Sequence, residues 1–99
     1  MLRILGLSAD NPRVSFEILL IDDNADMHLM IRACLEEPDL RITDAYTGEE
    51  GLRLAAANRC DLIVLDVAMP GMDGFEVLKQ LKAASRLSDV PVEIGRAHV

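Results

Sequence analysis

One stretch constrains this chain more than any other: Asp61-Leu62-Ile63-Val64-Leu65-Asp66-Val67-Ala68-Met69-Pro70-Gly71-Met72-Asp73-Gly74. Four consecutive apolar residues between acids are too few for a buried helix and suit a strand covered on both faces, as in a parallel sheet. Asp66 then stands where the strand ends. In open α/β sheets the reactive crevice lies beyond the carboxyl ends of the strands, so a carboxylate there is placed for chemistry. The structural alternative is an acid that merely ends the strand. Pro70 fixes its own φ and holds Met69 extended, while Gly71 and Gly74 permit the turns that lead into a helix starting near Phe75.

A second aliphatic run, Phe16 to Ile21, ends abruptly in Asp22-Asp23-Asn24. It predicts another buried strand that delivers acids to the same edge. Adjacent carboxylates repel and raise a pKa unless a cation or a donor offsets them. Magnesium fits that need, since it takes one or two carboxylates together with waters and phosphate oxygens. An Asx-type helix cap is the plainer reading of the same residues, with Asn24 and Asp26 also suited, and the two roles are compatible.

Between these stretches the pattern alternates helix and strand. Met27, Met30, Ile31, Cys34 and Leu35 make one apolar helical stripe, stopped by Pro38, which leaves His28 and Arg32 off it and His28 as a solvated residue. Leu40 to Tyr46 alternates loosely, with Ile42 and Ala45 inward, as an edge strand can. Thr47-Gly48-Glu49-Glu50 is a capping box opening a helix to about Asn58, with Leu52, Ala55 and Ala56 inward. Phe75, Leu78 and Leu81 form the stripe of a third helix, with Lys79 and Lys82 on its solvated face. Ser88-Asp89 turns the chain into Val90-Pro91-Val92, the start of a fourth strand. Gly95, Arg96 and His98 then predict a break in that strand.

Ninety-nine residues, half of them apolar but with one Tyr, two Phe and no Trp, make a single domain with an aliphatic core. The net charge of -7 excludes nucleic acid or an anionic membrane as a partner of this segment, because both demand a cationic face. Cys34 and Cys60 have neither metal-ligand nor redox spacing and predict two reduced thiols in a cytoplasmic protein. No apolar run approaches the length needed to span a bilayer.

The strand, Asp66, two further residues, Met69-Pro70, Gly71-Met72-Asp73-Gly74 and a helix together resemble the phosphoacceptor segment of response-regulator receiver domains, and Asp22-Asp23 after the first strand resembles the family's acid pair. The resemblance covers residues 16–92. It implies a flavodoxin-like, doubly wound α/β fold with a parallel sheet in the order 2-1-3-4, incomplete at its carboxyl end. It implies that Asp66 accepts a phosphoryl group from the phosphohistidine of a sensor histidine kinase or histidine phosphotransfer protein. It further implies a magnesium site formed by Asp23, by Asp22 acting mainly through water, by Asp66 and by the backbone carbonyl of Ala68.

Residues 1–15 stand apart as an extension, set off by Asp10-Asn11-Pro12. Residues 93–99 depart from the family pattern and form a non-native tail; Ile94 to Val99 is what a common sequencing-library adapter encodes. The family's later Ser or Thr and its Lys have no counterpart in this sequence. Two other functions remain compatible with the residues. A dehalogenase-like phosphatase wants a second Asp where Ala68 stands, which argues against it. A receiver-like interaction module that is never phosphorylated would have no need of all three acids.

Overall fold

The computed structural model describes residues 15–35, 37–69, 73–85 and 87–95. Most of the predicted extension (1–14), the loop residues Pro70, Gly71 and Met72, and residues 96–99 of the predicted tail lie outside the described residues. The elements in chain order are β1 (Phe16–Ile21), α1 (Ala25–Cys34), β2 (Leu40–Ala45), α2 (Gly48–Ala57), β3 (Leu62–Asp66), α3 (Gly74–Ala83) and β4 (Val92–Gly95). The strands pair in the order β2-β1-β3-β4, all parallel, as the sequence predicts. Ser15, the last residue before β1, is tied to this unit: its hydroxyl donates to Glu17 Oε2 and its carbonyl accepts from Arg59 Nη2.

Register decides which residues make the core. Leu19 pairs with Ile63 and Ile21 with Leu65, so four aliphatic side chains project from the same face of the sheet. They bury against Ala45, Ala55, Val77 and Leu81, the inward residues of β2, α2 and α3. Each such Leu or Ile contributes roughly 1.5–3 kcal/mol when fully withdrawn from water. The opposite face is thinner. Leu20 and Ile18 are buried there, but Leu62 and Val64 are only half-buried, so the two-sided burial predicted for β3 holds on one side alone. The reason is visible in α1, whose Met27 and Ile31 border an open groove of about 280 Å³ over Leu20 and Val64.

Three helical stripes differ from the predicted ones. In α1, Met30, Cys34 and Leu35 are exposed and His28 is the buried residue. In α2, Gly48, Gly51 and Ala55 face the sheet while Ala56 is exposed, because the helix lies so close that only Gly fits against Ile21. A Cβ on Gly51 would stand 2.5 Å from Ile21 Cδ1. In α3, Gly74, Val77 and Leu81 are buried and Phe75 is exposed, since the close approach at Gly74 turns the next residue outward. Lys82 is tied down: its Nζ donates to the carbonyls of Ser88 and Val90, clamping the turn before β4. The predicted break at Gly95 is absent, for Ile94 and Gly95 continue β4 in register with Leu65 and Asp66. Backbone pairing needs no particular side chain, and at the sheet edge Ile94 stays exposed.

Candidate functional site

β1 ends at Ile21, and the chain turns into α1 through Asp22, Asp23 and Asn24. Four hydrogen bonds fix that turn. The Asp22 N–H extends the ladder to the Ala45 carbonyl at 3.0 Å, and Asp22 Oδ1 accepts from the Asn24 N–H at 2.9 Å. Asn24 then caps α1, its Oδ1 accepting from the Asp26 N–H at 2.8 Å. The fourth bond falls on the Asp22 carbonyl, which accepts from His28 Nε2 at 2.7 Å. So Asn24, rather than either of the paired acids, is the helix cap, and Asp23 is left exposed.

Asp66 is the last residue of β3, on the strand next to β1. Its Oδ1 accepts from the Ala68 N–H at 3.0 Å, which draws the following loop around the carboxylate. Gly74 holds the other end of that loop. Its N–H reaches the Val67 carbonyl at 3.2 Å, and a Cβ at this position would fall 2.1 Å from Val67 Cα, so the backbones touch where only glycine fits. Asp73 caps α3 by accepting from the Glu76 N–H at 2.9 Å.

These two turns bring Asp22, Asp23 and Asp66 together. One carboxylate oxygen from each lies within 4.8 Å of the others, at the mouth of the groove that Ala68 also lines. Two ligands on opposite sides of a magnesium ion stand about 4.2 Å apart, close to this spread, and an all-oxygen donor set suits a hard cation. Electrostatics agree with that fit. Burial raises the Asp22 pKa above the ordinary carboxylate value; the Asn24 amide and His28 pull it down, but Asp66 and Asp23 push it up and the net shift is upward. Among the described residues no Lys or Arg forms an ion pair with any of the three.

The sequence pattern misplaced one residue near this site. His28 is 2 % exposed, with its imidazole stacked on Tyr46 at a centroid distance of 4.2 Å. Its Nδ1 lies 2.7 Å from Asp44 Oδ1, and Arg32 Nη2 holds Asp44 Oδ2. Burial would raise the Asp44 pKa, but hydrogen bonds from His28 and Arg32, together with their charges, lower it overall. Periodicity treated His28 and Arg32 as solvated because neither lies on the apolar stripe. The signal that pointed to them was their spacing, since residues four apart share a helix face and can grip one acid together.

Known proteins are similar to this chain. The model of the response regulator receiver domain matches residues 18–98. The transcriptional regulatory protein AfsQ1 of Streptomyces coelicolor is 40% identical over 70 residues, covering 71% of this chain and 31% of that protein. Protein PilH of Pseudomonas aeruginosa is 32% identical over 77 residues, covering 78% of this chain and 64% of its own length. Chemotaxis response regulator CheY4 of Vibrio cholerae superposes with a TM-score of 0.76 at 30% identity, over 81% of this chain and 67% of that structure. The chain thus spans between about a third and two thirds of the length of these relatives. With a parallel sheet in the family order and acids from two adjacent strand ends, it belongs to the response regulator receiver domains of two-component systems.

Proposed function

We propose that Asp66 is the phosphoacceptor of this receiver domain and that Asp22, Asp23, Asp66 and the Ala68 carbonyl hold a magnesium ion during the transfer. The observation that carries this reading is the meeting of three carboxylates at the ends of β1 and β3 with no Lys or Arg ion-paired to them among the described residues. Such a cluster is costly unless a cation completes it. A bound magnesium ion would supply positive charge against the oxygens of the entering phosphoryl group. Asp66 does the chemistry: one of its carboxylate oxygens forms a bond to phosphorus as the phosphorus–nitrogen bond of a phosphohistidine breaks, and the electron pair returns to the imidazole. Asp66 is half-buried and lines the groove, and the Ala68 N–H on its Oδ1 supports this role by orienting the carboxylate. The donor is a sensor histidine kinase or a histidine phosphotransfer protein in the cytoplasm. Nucleic acid and membrane have no role through this segment, whose charge is -7, and among the described residues no helix is long and apolar enough to cross a bilayer. The domain acts as a switchable acceptor and not as a turnover enzyme.

We assign residues 1–15 to an extension and 16–92 to the receiver unit, with 93–99 as a non-native tail; sequencing the locus through codon 93 tests that division. The phosphoacceptor is tested by incubating the chain with acetyl phosphate and magnesium. One phosphoryl mass, labile to hydroxylamine, is expected on the parent chain and none on Asp66→Asn. Labelling that survives the substitution moves the acceptor elsewhere, and a parent chain that never labels identifies a pure interaction module.

A further inference from the structure

We propose that His28 is a positioning residue for the acid pair: it fixes the peptide unit joining Asp22 to Asp23 and so sets the geometry with which the two present oxygens to a divalent cation. This rests on the metal reading of the preceding section. The peptide between the two acids is their only covalent link, and the plane it adopts decides where the Asp23 side chain starts. Its carbonyl is held by the buried imidazole at 2.7 Å.

Hydrogen-bond chemistry shows how firm that hold is. The Asp22 carbonyl can only accept, so Nε2 donates to it, and Nδ1 is held against Asp44 Oδ1 at 2.7 Å. Asp44 is in turn gripped by Arg32 from one helical turn further along α1. Tyr46, just past β2, covers one face of the ring. The acid pair is thus braced from outside by a chain running Asp22 carbonyl, His28, Asp44, Arg32, with His28 and Arg32 on α1 and Asp44 on β2, the strand paired with β1. A buried ring bonded at one nitrogen to β2 and at the other to the β1–α1 turn cannot move without breaking one of those bonds.

Metal preference follows from this brace. Magnesium demands a nearly ideal octahedron with short bonds, whereas calcium accepts variable geometry and longer ones. Loosening the Asp22–Asp23 peptide should therefore weaken magnesium far more than calcium. Substituting a residue that orients metal ligands typically costs 10- to 100-fold in affinity.

Calorimetric titration of the full chain with MgCl2 and with CaCl2, at a temperature where circular dichroism shows each variant folded, tests the proposal. His28→Phe keeps a ring over Tyr46 but donates nothing; its magnesium Kd is expected to rise about tenfold or more, with calcium changed less than about threefold. Asp44→Asn, which leaves the imidazole in place without its carboxylate partner, should show a smaller shift in the same ratio and decides the matter if His28→Phe does not fold. In the metal-free protein the Asp23 amide order parameter should fall from a rigid value of about 0.85 toward 0.6 in His28→Phe. Parallel loss of both metals, or an unchanged ratio and order parameter, overturns the positioning role. Absence of magnesium binding in the parent chain, or binding unchanged in Asp23→Ala, overturns the metal reading instead, and the order parameter then still decides whether His28 holds the peptide.

Discussion

The two ends of the sheet use the same residue type in opposite ways. At the amino end Glu17 and Asp61 sit among arginines: Arg59 Nη1 reaches both Asp61 oxygens at 2.7 Å, Arg59 Nη2 reaches the Ser15 carbonyl at 2.9 Å, and Arg41 approaches Glu17 at 3.5 Å. Asp61 Oδ2 also accepts the Glu17 N–H at 2.8 Å, stitching the starts of β1 and β3. At the carboxyl end Asp22, Asp23 and Asp66 converge with no Lys or Arg ion-paired to them among the described residues. Paired acids close a fold. Unpaired acids brought together by the fold store repulsion that a ligand of opposite charge can relieve, and this contrast marks the functional end without any appeal to relatives.

The largest effect that would sharpen this contrast lies in the backbone. If the carboxyl end depends on close chain approach, Gly74→Ala must push the start of α3 away from Asp66 and Val67, since its Cβ would lie 2.1 Å from Val67 Cα and 2.7 Å from the Asp66 carbonyl oxygen. A loss of about 3 kcal/mol is expected, at the upper end of overpacking costs. Urea denaturation measures it, and a loss below about 1 kcal/mol would mean that the loop yields and the acid geometry is soft.

Opposite signs are expected for side chains at the two ends. Arg59→Ala leaves Asp61, Glu17 and the Ser15 carbonyl short of partners, yet Arg59 is more than half exposed, so the cost should be about 1 kcal/mol. Asp22→Asn should stabilise the metal-free fold by roughly 1 kcal/mol, the scale of one like-charge contact under 5 Å even at high dielectric. The replacement amide oxygen can still accept the Asn24 N–H. Melting temperatures in EDTA compare them: a fall for Arg59→Ala and a rise for Asp22→Asn. If both fall, the carboxyl-end acids are satisfied in some other way and the contrast breaks.

How much of this was readable from sequence depends on whether the cause was local. The aliphatic runs of β1 and β3 stop at Asp22 and Asp66 because the strands reach the carboxyl edge of the sheet there, and both the runs and the acids are contiguous in the chain. The Thr47 cap was equally legible: its hydroxyl accepts the Glu50 N–H at 3.0 Å, though Glu50 reaches the Tyr46 N–H one residue further out. What escaped were residues whose partners lie far along the chain. His28 meets Asp44 sixteen residues away, and Lys82 is fixed by carbonyls of a turn it does not belong to. The α1 stripe failed for a related reason: periodicity reports which face of a helix is apolar, not how closely that face is covered, and here it overlooks a groove.

The smallest expected effect separates pairing from location, because Asp22 and Asp44 are both near the carboxyl end of the sheet but have opposite shifts. An unfolded Asp titrates near about 3.9. Asp22 has a raised folded pKa, so its contribution to stability is fully present below that value and is lost as pH rises through the folded pKa. Asp44 has a lowered folded pKa, so its contribution is present above that value and is lost as pH falls through the folded pKa. Stability curves in EDTA for the parent chain, Asp22→Asn and Asp44→Asn should therefore differ in separate windows. The parent's standing relative to Asp22→Asn should decline as pH rises above about 4, and its advantage over Asp44→Asn should decline as pH falls below about 4. Changes of a few tenths to about 1 kcal/mol are expected, given the partial exposure of Asp44 and its partner Arg32. If both differences changed in the same window and direction, position at the carboxyl end would govern these acids, and the pairing of Asp44 by His28 and Arg32 would carry no weight.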